Sequence, residues 1–213
     1  MSETPESFAA RFPRLWRLAE RDSHEGIRRH GLLTAAQAAD RAGHDLRPER
    51  RLSFVDLVLP CCGVRVAISD NLPLSTKRLE GALEDGLSAA DWMAMLNDRV
   101  FFWTDRAFGD AHLKARTRLG RRSEWQEFET EGLLGSCWDR AEIAPFNTGS
   151  TVRVAVRRGR STFAPLAGLD YEAWRRARRD RGRKKGLDTV KEVTVRGGVP
   201  DAGRFLLRVL PCG

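Results

Sequence analysis

Apolar and polar positions along the chain repeat with two periods, about 3.6 residues and 2 residues, and they place short helices at the front and strands behind them. The first helical stretch follows Asp22, which can cap the first turn with Glu25 three residues later. Ile27 faces inward there, and Gly31 supplies the left-handed stop. Thr34 and Gln37 form a second capping box, which predicts a helix over 34–43 that ends at Gly43. Residues 44–51 are polar. Residues 52–60 and 64–68 have the alternating, β-branched texture of two strands joined near 61–63, a β-hairpin.

Ser88 with Asp91 opens the next helix, 89–96, whose Trp92, Met93 and Leu96 share an apolar stripe. Residues 100–103 read as a strand covered on both faces, with Phe101 and Trp103 pointing one way and Val100 and Phe102 the other. A helix is expected over 112–119, with weaker signals at 123–128 and 133–139. A polar turn at 147–151, a strand at 152–156 and a loop at 157–160 follow. Strands at 190–195 and 205–210 close the chain around the turn Gly197-Gly198-Val199-Pro200. The order predicts an α+β class, because the regular strand–helix alternation of a doubly wound parallel sheet is missing. No internal repeat and no glycine fingerprint of a dinucleotide fold or phosphate loop occurs.

Composition narrows this further. The 213 residues are 41% hydrophobic and 31% charged, enough apolar material for one compact domain over 1–213. Apolar runs fall far short of the roughly 20 residues that cross a bilayer, and the N-terminus has no basic-then-apolar leader, so a soluble, cytoplasmic protein without membrane partners is expected. Cys61, Cys62, Cys137 and Cys212 show no paired spacing and are expected as reduced thiols. The net charge of +8 is local: Arg175–Lys185 holds eight basic residues against Asp180 alone, seven of the eight net charges. Such a segment, spanning 174–186 as a loop or helix extension, attracts polyanions. A solvated loop or frayed helix remains the alternative. His24, His30, His44 and His112 lack the spacing of a metal pair on one helix face, and no Gly-x-Ser-x-Gly elbow is present, so no metal is expected.

Residues 15–32, LWRLAERDSHEGIRRHGL, resemble the opening motif of ADP-ribosyltransferases of the diphtheria-toxin and poly(ADP-ribose) polymerase type. In that family an aromatic-His pair ends the first strand and a short helix then leads to Gly-Leu. Trp16-Arg17 occupies the place of the pair, Ser23 that of the helix cap, and Gly31-Leu32 that of Gly-Leu. Residues 100–105, VFFWTD, resemble the strand that lines the nicotinamide pocket, which places Phe102 and Trp103 beside the ring. Residues 191–200, KEVTVRGGVP, are similar to the late strand that carries the catalytic Glu, closest to DarT-type DNA ADP-ribosyltransferases, and the matched residue is Glu192. The segment 147–166 has no counterpart there. The pattern is also similar to an uncharacterised bacterial family sharing the words Arg-His-Gly-Leu-Leu and Val-Phe-Phe-Trp.

The resemblance implies an ADP-ribosyltransferase-like split β-sheet with short flanking helices, and NAD as substrate. Arg17 stands where the family uses His; it offers only donors, which suit a phosphate. A supporting Arg falls among Arg50, Arg51 and Arg65, with Arg51 favoured at the strand entrance. Implied roles are catalysis for Glu192 and Arg51, and cofactor binding for Arg17, Ser23, Gly31, Leu32, Phe102 and Trp103. Arg175, Arg176, Arg178, Arg179, Arg183, Lys184 and Lys185 would bind a nucleic acid, DNA or RNA, as acceptor, with a free nucleobase as another acceptor. A noncatalytic nucleic-acid-binding protein on the same fold and a transferase acting on a small molecule are the alternatives. For each residue a plainer role competes: a solvent-facing strand Glu for Glu192, and core packing for Phe102 and Trp103.

Overall fold

The computed structural model describes residues 2–46, 51–152, 155–181 and 188–212. The chain opens with α1 (Pro5–Arg11), β1 (Arg14–Glu20), α2 (His24–His30) and α3 (Ala35–Arg41). A hairpin, β2 (Val55–Val58) and β3 (Arg65–Ile68), is followed by α4 (Thr76–Glu80), α5 (Ala89–Asn97) and β4 (Arg99–Trp103). Then come α6 (Asp110–Arg118), β5 (Ser123–Glu129), α7 (Thr130–Gly135), β6 (Ala141–Ala144) and β7 (Ala164–Pro165). The last elements are α8 (Tyr171–Arg181), β8 (Glu192–Arg196) and β9 (Leu206–Pro211).

Local chemistry sets the short helices. Thr34 and Ser88 each accept the backbone N–H three residues on and receive the reciprocal side-chain bond, and they start α3 and α5 as the sequence predicts. Gly31 ends α2 at φ 71. Asp22, however, sits at φ 67 and does not cap α2, and Ser23 makes no cap bond of its own. The buried Glu124 carboxylate serves instead, accepting the N–H groups of Asp22 (2.8 Å) and His24 (3.1 Å).

Seven strands form one sheet in the order β7-β6-β8-β4-β1-β5-β9, every pairing antiparallel, and β2-β3 form a separate hairpin. This is an α+β architecture. Strand alternation sends Leu15, Arg17, Phe102, Gln126, Phe128 and Val193 to one face of the sheet, and Trp16, Trp103, Glu127 and Glu192 to the other. The first face carries the main core, with Phe8 of α1, Ile27 of α2 and Leu133 and Leu134 of α7 packed on it. On the second face Trp92 and Met93 of α5 and Leu79 of α4 pack with Ala144, Phe163 and Phe101. The hairpin packs Ile68 and Val66 on Ala38 and Ala39 of α3.

Three expectations need correction. Residues 152, 155 and 156 lie in no strand, and 153–154 fall outside the described residues. The chain there instead carries Arg158, whose guanidinium gathers backbone carbonyls. The stretch 133–139 divides into the end of α7 and a 3-10 turn, Trp138–Arg140. Finally β1, β6 and α1 have no counterpart in the periodicity, although the resemblance puts a strand at Trp16-Arg17.

Candidate active site

A transverse row of residues crosses the second face of the sheet. Ala144 pairs with Glu192, Glu192 with Trp103, and Trp103 with Trp16. Glu192 is 5% exposed, which removes the solvent-facing role that a strand Glu ordinarily has. Its Oε2 accepts the backbone N–H of Thr148 at 3.0 Å and the Thr148 hydroxyl at 2.7 Å. Oε1 takes no hydrogen bond from any described residue. Burial pushes the Glu192 carboxyl up to about 7, against the pull of the two Thr148 bonds and of the Arg158 and Lys191 charges. Near neutral pH it therefore exists in both forms, the condition a group needs to give and take a proton.

The loop that holds Glu192 is itself held by Arg158, 1% exposed. Its guanidinium donates to the carbonyls of Val156 (3.0 Å), Thr148 (3.0 Å) and Ser150 (3.1 Å) and lies over the rings of Phe146 and Trp92. Burial lowers it to about 10, with Glu192 opposing. Asn147 donates its amide to the carbonyl of Phe108 at 3.4 Å, while its buried Oδ1 has no partner. The Trp103 indole N–H is also buried without one. Thr148→Val removes one of the two bonds to the carboxylate. It is expected to lower stability by about 2 kcal/mol and to move the Glu192 pKa above its wild-type value, read by a carbon-13 carboxyl titration; an unmoved titration contradicts the clamp.

The other sequence-predicted residues do not converge here. Arg17 and Phe102 lie on the opposite face. Phe102 is fully buried, edge-on to Phe128 at 5.4 Å, so its ring is core and not a ligand platform. Arg17 donates to Gln126 Oε1 at 3.0 Å, and Gln126 Nε2 in turn reaches Glu124 at 2.7 Å and Ser23 at 3.0 Å. Desolvation and the neighbouring Arg116 lower Arg17 to about 10, with Glu124 opposing. His24 Nδ1 meets the same Glu124 at 3.0 Å. Ser23 therefore belongs to a buried network that ties α2 to β5. Gly31 and Leu32 serve a backbone function: the N–H and C=O of Leu32 pair with Val199, both at 2.8 Å, and Leu32 is core.

Arg51 donates to the Ser69 carbonyl at 3.1 Å and to Asn97 at 3.0 Å, and its N–H bonds Asn71. Asn97 precedes the start of β4, whereas Glu192 pairs with its last residue, about 13 Å further along the strand. Arg175, Arg176, Arg178 and Arg179 lie on α8, Arg175 and Arg179 within reach of Asp188 (3.5 and 3.8 Å), and Arg178 over the Trp174 ring. Arg183, Lys184 and Lys185, like Arg50, lie outside the described residues. Trp103 alone of the expected aromatic pair shares the face of Glu192, and Trp16 joins it where Arg17 was expected.

Thr148 and Arg158 were not anticipated. Residues 147–151 read as a plain turn and 157–160 as a loop, and no spacing rule distinguishes a threonine that caps a distant carboxylate. Glu124 and Gln126 carried a signal: in SEWQEF they occupy the same parity as Phe128, polar groups at core positions. Among the described residues no group of three or more His, Cys, Asp or Glu is placed to hold a metal ion, and no helix is long and apolar enough to cross a membrane. A protein family of unknown function (DUF7002) matches residues 13–206 of the chain. No curated protein and no solved structure matches it.

Proposed function

The chain belongs to the DUF7002 family, and from its own side chains we propose that it is an NAD-dependent ADP-ribosyltransferase on an ADP-ribosyltransferase-like fold, with Glu192 as the catalytic carboxylate and a nucleic acid or nucleobase as acceptor. The observation that carries this is the buried Glu192, clamped through one oxygen and open at the other, beside Trp103 and Trp16. Oε1 is free to accept the 2′-hydroxyl of a ribose and to face positive charge that develops at its C1′, as glycosidase carboxylates do. Trp103 and Trp16 offer aromatic surface next to it. Lys191, over the Phe108 ring, brings a cation for a pyrophosphate.

In the reaction the C1′–nitrogen bond breaks and nicotinamide leaves with its electron pair. An acceptor atom bonds C1′, and its proton passes to the Glu192 carboxylate and then to solvent. A carboxyl near 7 suits that exchange. The basic face of α8 supports a polyanionic acceptor, since Arg176 and Arg179 are exposed.

The test is nicotinamide release on incubation with NAD and DNA or RNA. Wild type is expected to release it and Glu192→Ala is not; no release by wild type, or equal release by both, overturns the assignment. One observation favours a second possibility, a noncatalytic nucleic-acid-binding protein on this fold: Arg17, in place of the family's His, lies on the face opposite Glu192. Retained binding with a steep salt slope, and no NAD-induced rise in Tm, would support that one. Turnover that survives deletion of residues 175–185 would point to a small-molecule acceptor.

A further inference from the structure

Between α6 and strands β5 and β9 lies a cavity of about 290 Å³, on the same face of the sheet as Glu192 but two strands beyond Trp103. Asp110, Leu113 and Thr117 line it from one side of α6, at the i, i+3, i+7 spacing that points them together toward the sheet. Trp125 of β5 and Leu210 of β9 line its sheet side. Arg106 stands at the rim, in the turn that crosses Trp103 and Trp125 at Gly109, where an added Cβ would run into both rings.

Two features define what would fit. Small-ligand sites span roughly 300–1,000 Å³, and this open groove, at the small end of that range, is matched by a single heterocycle. Its walls combine Trp125, Leu113 and Leu210 with Thr117 and Cys212, while its rim carries the Arg106 donor fork and the Asp110 acceptor pair. Among the described residues the Asp110 carboxylate has no hydrogen bond or ion pair, and the Arg106 guanidinium lies over the Trp16 ring at 5.8 Å and near Cys212. Both side chains are exposed. A purine offers the larger ring face and two separate hydrogen-bonding edges, which a single-ring pyrimidine does not. Guanine has O6 and N7 for the guanidinium and N1–H and N2–H for the carboxylate, two bidentate pairs from one base.

We propose that this cavity is a binding site for a purine base, with guanine preferred, read by Arg106 and Asp110 against a wall of Trp125 and Leu210. The site goes beyond the transfer reaction proposed above and does not depend on it, because base binding is measured in the absence of NAD.

Calorimetric titration of the protein with GMP, AMP, CMP, UMP and inorganic phosphate tests it. GMP is expected to bind saturably, the pyrimidine nucleotides at least ~tenfold more weakly, and phosphate not at all. Arg106→Ala and Asp110→Ala are each expected to weaken GMP by ~tenfold or more, with unchanged Tm because both side chains are exposed. AMP binding as tightly as GMP overturns the guanine preference. Equal binding of all four nucleotides, or wild-type GMP affinity in both variants, overturns the site. Glu192→Ala is expected to keep GMP binding while losing nicotinamide release, so failure of one assignment leaves the other measurable.

Discussion

Glu192→Gln is expected to stabilise the protein by about 3 kcal/mol at pH 8.5 and, for the transfer proposed above, to lower nicotinamide release by about 10²–10⁴-fold. The stability gain follows from linkage. The carboxyl titrates at about 7 in the fold against 4.5 in the free residue, and each pKa unit is 1.36 kcal/mol. Because the folded pKa is raised, the native state keeps a proton that the unfolded chain has already lost between pH 4.5 and 7. Wild-type stability therefore falls as pH rises through that window and is flat above it. Glutamine keeps the shape and the acceptor for the Thr148 N–H without an ionisable proton, so the variant does not share the fall. Thermal melts at pH 4 and pH 8.5 measure it: the two proteins should nearly coincide at the lower pH and separate at the higher, by about 6–12 °C in Tm. Equal separation at both pH values would show that Glu192 ionises as an ordinary surface acid.

The largest loss is expected from Gly31→Ala. Gly31 sits at φ 71, and an added Cβ would be driven into the carbonyl oxygens of Val199 and Pro200. Left-handed strain costs ~1–2 kcal/mol, overpacking against backbone ~1–3 kcal/mol, and the Leu32–Val199 bridge holds two hydrogen bonds worth ~1 kcal/mol each. Together they predict destabilisation of at least about 4 kcal/mol, visible in chemical denaturation. Gly43→Ala is the control. Gly43 has φ 64 but nothing within 4 Å of its added Cβ, so only the dihedral strain of ~1–2 kcal/mol applies. Equal costs at the two positions would mean that the close approach to Val199 and Pro200 is not what demands glycine at 31.

The elements that could be read from the chain were those whose causes are local. The capping boxes at Thr34 and Ser88 and the hairpin over 55–68 depend on residues three to thirteen apart, and each formed where expected. The strand at 100–103 was also legible from its four consecutive apolar residues, although only Val100 and Phe102 are buried and Phe101 and Trp103 are half-buried. Direction within a motif was not. Trp16 and Arg17, like Phe102 and Trp103, are adjacent on their strands and point to opposite faces, so a short motif cannot say which member of a pair meets the ligand. That question is settled by register with β8, a strand some 90 residues later than β4. Thr148 and Arg158 were hidden for a related reason: their partners are a carboxylate 44 residues away and a set of loop carbonyls, neither of which leaves a spacing in the sequence.

The strand order also bears on biosynthesis. β8 is an interior strand wedged between β4 and β6, both of which leave the ribosome first. Until it arrives, a nascent chain shows two open backbone edges flanked by Phe101, Phe102 and Ile143, the kind of surface that recruits another copy or a chaperone. A fragment that stops short of residue 192 is thus expected to be sticky, and it lacks the carboxylate to which the proposed transfer is assigned.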